Sequence, residues 1–177
     1  MAGISTVAIV TAIKERLTGT KTGVRAMTAG ELASDTYATL TPAETARRAV
    51  ITPRFDVVVT GTKRSGPLSE MGSSQWLEAD VEVRCTYALT PAQASSESSR
   101  ETLRATAADD GEQVRQSLMW PGGLTLTSAA VATNIVSGCM ARHKGSTLVR
   151  ESFVASGGVL EWRHQFSCVV AVSPAIT

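Results

Sequence analysis

Two long segments of this chain alternate between apolar and polar residues, and this pattern strongly limits what the chain can fold into. From Leu77 to Tyr87 the odd positions are apolar or small and the even positions are polar. The even positions of the second segment are mainly apolar: Leu160, Trp162, His164, Phe166, Cys168, Val170 and Val172. A period of two is typical of a strand with one buried and one solvated face. We therefore predict an antiparallel sheet with a core face and a charged face.

The alternation also assigns individual residues to the two faces of this sheet. The charged face is predicted to carry Glu78, Glu82, Arg84 and Arg163. Neighbouring carboxylates on a strand can serve acid–base chemistry, but such a row is more often a solvated or subunit-facing surface. We predict these four residues to belong to a subunit interface. The predicted core face, packed against helices, carries Leu77, Val81, Val83, Tyr87, Trp162, Phe166 and Val170.

The other elements follow from helical periodicity, caps and turn residues. Together they predict an α+β fold: an antiparallel sheet with long hairpins, packed against two main helices in a single domain over residues 1–177. The predicted helices span 4–17, Thr41 to Val50 and 97–119, and the predicted strands span 54–62, 76–89, 124–127, 131–141, 146–154 and 159–172.

The break between the first two long strands, Gly61 to Gln75, is longer than the usual hairpin connection. We expect this extended tip to be an assembly element, because long connections in compact domains are normally functional or disordered. Its candidate contact residues are Lys63 and Arg64 for polar contacts and Leu68 and Met71 for apolar anchoring.

Composition excludes several classes of protein. The 17 basic and 16 acidic residues give a formal charge of +1, whereas dedicated nucleic-acid binders usually show a basic patch. No apolar run approaches the ~20 residues of a membrane span. Residues 1–17 lack the features of a signal peptide, and the cysteine count of three favours free thiols. We expect a cytoplasmic origin.

Cysteine and histidine residues suggest two kinds of chemistry; their spacing disfavours a metal site, and the predicted core position of the thiols disfavours a catalytic dyad. Cys139 with His143, and His164 with Cys168, could suggest a zinc site. Residues four apart on a strand lie ~13 Å apart, too far to share one metal without a sharp fold. Cys85 or Cys168 beside His164 could form a catalytic dyad, but both thiols fall on the predicted core face, where thiols are usually inert. We predict no metal, no cofactor and no catalysis.

The order of elements resembles the tail terminator, or tail completion, proteins of long-tailed bacteriophages. The resemblance rests on the opening helix, strands 54–62 and 76–89, the helix 97–119 that ends at Trp120-Pro121, and the closing hairpin 146–172. It covers most of the chain, and it consists of patterns and not of a short motif. Residues 18–50 are longer than the pattern needs, and we expect an insertion or a different adaptor there.

The resemblance implies a structural virion protein of the tail or neck, assembled in the host cytoplasm. Such proteins form six-membered rings that cap the tail tube, stop its polymerisation and join it to the head connector. Their partners would be further copies of the chain, the tail tube protein and the head-completion protein, with genomic DNA passing through the lumen. Two alternatives remain: another neck or tube component, and a small α+β enzyme or ligand-binding domain.

Overall fold

The computed structural model of the 177-residue chain describes residues 6–19, 28–29, 54–65, 75–119 and 134–174. Within these ranges it confirms the α+β fold with an antiparallel sheet and two main helices. In chain order the elements are α1 (Thr6–Thr18), β1 (Thr28–Ala29), β2 (Arg54–Ser65), β3 (Gln75–Leu89), α2 (Pro91–Ser95), α3 (Glu97–Leu118), β4 (Asn134–Val154) and β5 (Gly157–Pro174).

The described strands form one sheet in the order β1-β2-β3-β5-β4. The pairs β2–β3, β3–β5 and β5–β4 are all antiparallel, so the four long strands alternate in direction across the sheet. The two-residue β1 pairs parallel with the start of β2 only, at Arg54 and Phe55. Strand β4 lies at the opposite end of the sheet and has β5 as its one described strand neighbour.

One apolar core lies between one face of the sheet and the helices. Register places the odd-numbered residues of β3 and the even-numbered residues of β5 on this face, as the alternation predicts. The core face takes its buried apolar residues from three strands. The helices add the rest: Ala94 from α2, and from α1 and α3 mainly Ile9, Ile13, Leu103, Ala107, Val114 and Leu118. Burial at about 25 cal/mol per Å² of apolar surface is the main force that holds these layers together.

Polar contacts fix the helices on this core. The Tyr87 hydroxyl donates to Oδ2 of the fully buried Asp110 at 2.9 Å, which ties α3 to β3. Arg16 donates from Nε to the Ser117 carbonyl at 3.1 Å and so joins α1 to the last turn of α3. Thr90 and Gln93 form a capping box that starts α2 directly after β3.

Two predicted strand boundaries are wrong, and both lie close to a β-bulge. Strand β2 does not end near residue 62: pairing shifts between Val59 and Gly61 and then continues to Ser65. The tip that was predicted to begin at Gly61 therefore begins later. Strands 131–141 and 146–154 are a single strand, β4, because a register shift between His143 and Gly145 takes up the polar break.

Trp162 is less buried than the alternation predicts. It lies on the core face but is only partly buried, whereas the other six residues predicted there are buried. Its partner across the sheet is Leu148 of the end strand β4, which is itself 40% exposed. The predicted helix from Thr41 to Val50, the predicted strand 124–127 and most of the segment 18–50 lie outside the described residues.

Candidate functional site

The second face of the sheet, which we call the polar face, lies opposite the core and carries most of the charged side chains of the strands. Its described acidic residues are Asp56, Glu78, Asp80, Glu82 and Glu161, and its described basic residues are Lys63, Arg84, Arg142, Lys144, Arg150 and Arg163. The two signs almost balance. The strict alternation of β3 and β5 builds this surface, since every residue between two core positions must point to it.

Acidic side chains of the polar face accept hydrogen bonds from charged and neutral neighbours on the same face. Arg84 donates from Nε to Glu82 at 3.1 Å, and the Gln165 amide donates to the other oxygen of Glu82 at 3.3 Å. The Ser167 hydroxyl donates to Glu78 at 2.5 Å. These bonds run both along β3 and across to β5, so they add side-chain cross-links to the backbone ladder.

One ion pair spans three strands. Lys144 of β4 reaches across β5 and donates from Nζ to Asp80 of β3 at 2.5 Å. The pKa of Lys144 is raised because it donates this hydrogen bond to Asp80. Both side chains are about half exposed, so the pair sets the arrangement of the surface more than it stabilises the fold.

The structure brings four of the eight predicted interface residues onto the polar face as a group. These are Glu78, Glu82, Arg84 and Arg163. Glu82 is only 8% exposed, since Arg84 and Gln165 close over it. A carboxylate buried in this way is a structural part of the surface and offers little to a partner directly.

The other four predicted interface residues belong to the β2–β3 hairpin end. Lys63 is exposed and lies opposite Glu78, so it joins the polar face. Arg64 lies opposite Leu77 in the register. Leu68 and Met71 lie outside the described residues, and their role in assembly stays a prediction.

The end strand β4 is a second surface feature. Exposed large apolar side chains gather on it: Met140, Leu148, Val149 and Val154. Among the described residues its outer backbone edge has no strand partner, and such an edge with exposed apolar residues is a template for pairing with another chain. Sequence reasoning missed this feature, because the register shifts at His143/Gly145 and Leu148/Arg150 hide the period of two.

Two histidines, His143 and His164, are brought together around one serine. Ser146 Oγ lies 3.0 Å from His143 Nε2 and 2.8 Å from His164 Nδ1. His164 is 3% exposed and stacks against the Trp162 ring. Burial lowers the pKa of His164 to about 4, and the charge of His143 adds to the shift. His164 is therefore neutral at pH 7 and a weak base.

The described thiols lack the properties of catalytic nucleophiles. Cys85 and Cys168 are both fully buried on the core face, as predicted. Burial raises the pKa of Cys85 to about 12, which keeps the thiol protonated at neutral pH. The described residues contain no group of three or more His, Cys, Asp or Glu side chains that could hold a metal ion. The side chain of Cys139 lies outside the description.

The chain matches no protein-family model and no curated protein sequence. None of the helices in the described ranges is both long enough and apolar enough to cross a membrane.

Proposed function

We propose that this chain is a structural virion protein whose copies form a ring on the tail tube of a long-tailed bacteriophage. The ring caps the tube, ends its polymerisation and joins it to the head connector. The order of elements supports this role, since the opening helix, the long hairpin, the second helix and the closing hairpin are all present in the described chain.

The observation that carries the proposal is the polar face. A single sheet packs its core and both main helices on one side and leaves the other side to interspersed, mutually paired charges. Each phosphate that a protein neutralises adds affinity for DNA. A lumen through which DNA must slide therefore needs a polar surface with few unbalanced cations, and the near balance of charge on this face meets that need.

The proposal includes no catalysis. The described thiols are buried, and the Cys85 thiol stays protonated. His164 is buried and neutral at pH 7, and its Nε2 has no hydrogen-bond partner among the described residues. A base with so low a pKa is a poor acceptor for a proton from Ser146, which supports a structural role for this cluster.

The test is the assembly state of the purified protein and its effect on tube growth. Mass photometry and negative-stain imaging should show discrete rings of a fixed number of 18.6-kDa chains. Added to polymerising tail tube protein, the rings should stop elongation at substoichiometric amounts. Long tubes formed by this chain alone would instead identify a tube subunit, and a stable monomer without effect on elongation would contradict the proposal.

A further inference from the structure

The two ends of the sheet differ in a way that fits one to the other. At one end, β1 covers only the first two residues of β2, so Asp56 to Ser65 have β3 as their one described strand neighbour. At the other end lies β4, which has a described neighbour on one side only. In the part of the chain that the structure describes, the sheet therefore presents two strand edges, which we call the β2 edge (Asp56 to Ser65) and the β4 edge (Met140 to Val154).

Strand direction makes the two edges compatible. Because the four long strands alternate in direction, β2 and β4 run in opposite directions. If two neighbouring copies are related by a rotation about an axis roughly parallel to the strands, each strand points in the same direction in both copies. The β2 edge of one copy would then lie antiparallel to the β4 edge of the other, which is the more stable type of pairing.

The distribution of charge on the polar face also favours contact between a β4 edge and a β2 edge. On β4 this face carries Arg142, Lys144 and Arg150 among its described side chains, with no acidic residue, and Lys144 is already paired with Asp80 of the same copy. Along β2 its described charged residues are Asp56 and Lys63, one acidic and one basic, and Asp56 also pairs with Lys14 of α1 at 3.4 Å. Placing a β4 edge beside a β2 edge therefore brings the basic margin of one copy to a margin of balanced charge on the next, whereas pairing two β4 edges would bring two basic margins together.

Exposed apolar residues favour the same contact. Leu148 and Val149 are 40% and 42% exposed in the middle of the β4 edge. Val58 and Val59 occupy the middle of the β2 edge: Val58 is partly buried on the polar face, and Val59 packs at the margin of the core. Burying these side chains against each other would add apolar area to a contact whose backbone groups pair as in a sheet.

We propose that the β4 edge binds the β2 edge of a second copy of this chain, so that neighbouring sheets join head to tail into one continuous antiparallel sheet. This contact is heterologous, and such contacts close into a ring when the rotation between copies fits. The inference rests on the proposed ring and names the surface that builds it.

Cross-linking between the two edges tests the contact. Thr60→Cys on the β2 edge and Val149→Cys on the β4 edge are both at exposed positions. They are introduced into a parent protein that carries Cys139→Ser. A short bismaleimide should link the double variant into a ladder from dimer up to the closed ring. Each single variant should remain monomeric on a denaturing gel.

The matched control combines Thr60→Cys with Ala108→Cys on the exposed side of α3 and should give no ladder. Dimers from Val149→Cys alone would overturn the inference, because they would show two β4 edges in contact. Rings that form normally while the double variant gives no ladder would also overturn it and leave the proposed function intact. A ladder within open tubes would support the edge contact and contradict the terminator role.

A second variant tests the contact between the two edges without a cross-linker, by disrupting the β4 edge. Val149→Lys places a charge in the middle of the β4 edge, a common device against edge pairing. We expect loss of rings with unchanged circular dichroism, whereas Ala108→Lys should keep its rings. Rings of normal mass from Val149→Lys would contradict the inference.

Discussion

The core face and the polar face of the sheet are built from alternate residues of the same strands, yet different forces hold them. On the core face Phe166 and Val83 are almost fully buried among apolar neighbours. On the polar face Glu82 is buried nearly as well, but between Arg84 and Gln165. Apolar burial contributes kilocalories per side chain, whereas partly exposed ion pairs contribute ~1 kcal/mol or less. We infer that the core face supplies stability and that the polar face is free to serve assembly.

The largest expected effect is on the core face. Phe166→Ala removes a side chain that is 1% exposed and should lower the free energy of unfolding by about 3–5 kcal/mol. Gln165→Ala, one residue away on the polar face, removes one hydrogen bond to Glu82 and should cost about 1 kcal/mol or less. Urea denaturation of both variants measures the contrast, and equal losses would show that the two faces do not differ as described.

The second-largest expected effect is a loss of folding stability at low pH, which arises from His164 on the core face. Because the pKa of His164 is about 4 in the fold and about 6.5 in the unfolded chain, the unfolded state binds more protons between these values. Stability should therefore be fully present above pH ~6.5 and fall by as much as about 3 kcal/mol as the pH drops towards 4. Stability curves of the wild type and His164→Ala should differ in slope over this interval, and parallel curves would contradict the assignment.

A smaller effect is expected where α3 meets the core face. A Cβ on Gly111 would lie 2.7 Å from Cε1 of His164, whose ring is held by Ser146 and Trp162. Gly111→Ala should therefore destabilise the fold by about 1–3 kcal/mol through overpacking, although alanine is the better helix former.

The control for this packing effect is Gly145→Ala on β4, where a Cβ meets nothing within 4 Å. Thermal unfolding should place this variant close to the wild type. A Gly111→Ala variant more stable than the wild type would mean that helix propensity outweighs the contact with His164.

The smallest effect is expected on the polar face. Arg163 pairs with Glu161 at 3.4 Å, and its side chain is 31% exposed. Arg163→Ala should lower the free energy of unfolding by about 0.2–1 kcal/mol, and added salt should reduce the difference. If chemical denaturation showed that Arg163→Ala lowers the free energy of unfolding by several kcal/mol, the polar face would contribute to stability as the core face does.

The sequence alone predicts a strand correctly where the alternation of apolar and polar residues is strict. It fails where a β-bulge changes which positions face the core. Strand β3 was predicted to within one residue, because no bulge interrupts its pairing with β5. Strand β4 was predicted in two pieces, because the shift between His143 and Gly145 changes which positions face the core. Local periodicity cannot reveal such a shift, since it depends on the partner strand.

The sequence predicts which residues of the candidate site share a face of the sheet, but it does not predict which of them pair with each other. Alternation alone placed Glu78 and Glu82 on one face with Arg163, and the structure agrees. The pair between Lys144 and Asp80 joins residues 64 positions apart, and the single sequence does not state the strand order that brings them together. The cluster of His143, Ser146 and His164 was missed for the same reason.

The strand order has a consequence for how the chain folds. The β4–β5 and β2–β3 pairs are hairpins between neighbouring strands, and the tight β4–β5 turn uses Gly157 at a φ of 141°. The central β3–β5 pair instead joins Gln75 to Val172 and Leu89 to Gly158, residues roughly 70 to 100 positions apart, and such non-local pairing slows folding. We expect the two hairpins to form early and their union along β3 and β5 to limit the rate. Until β3 pairs with β5, the strand edges that they present to each other stay open to other chains. Newly made chains would therefore be most prone to aggregate before the sheet is complete.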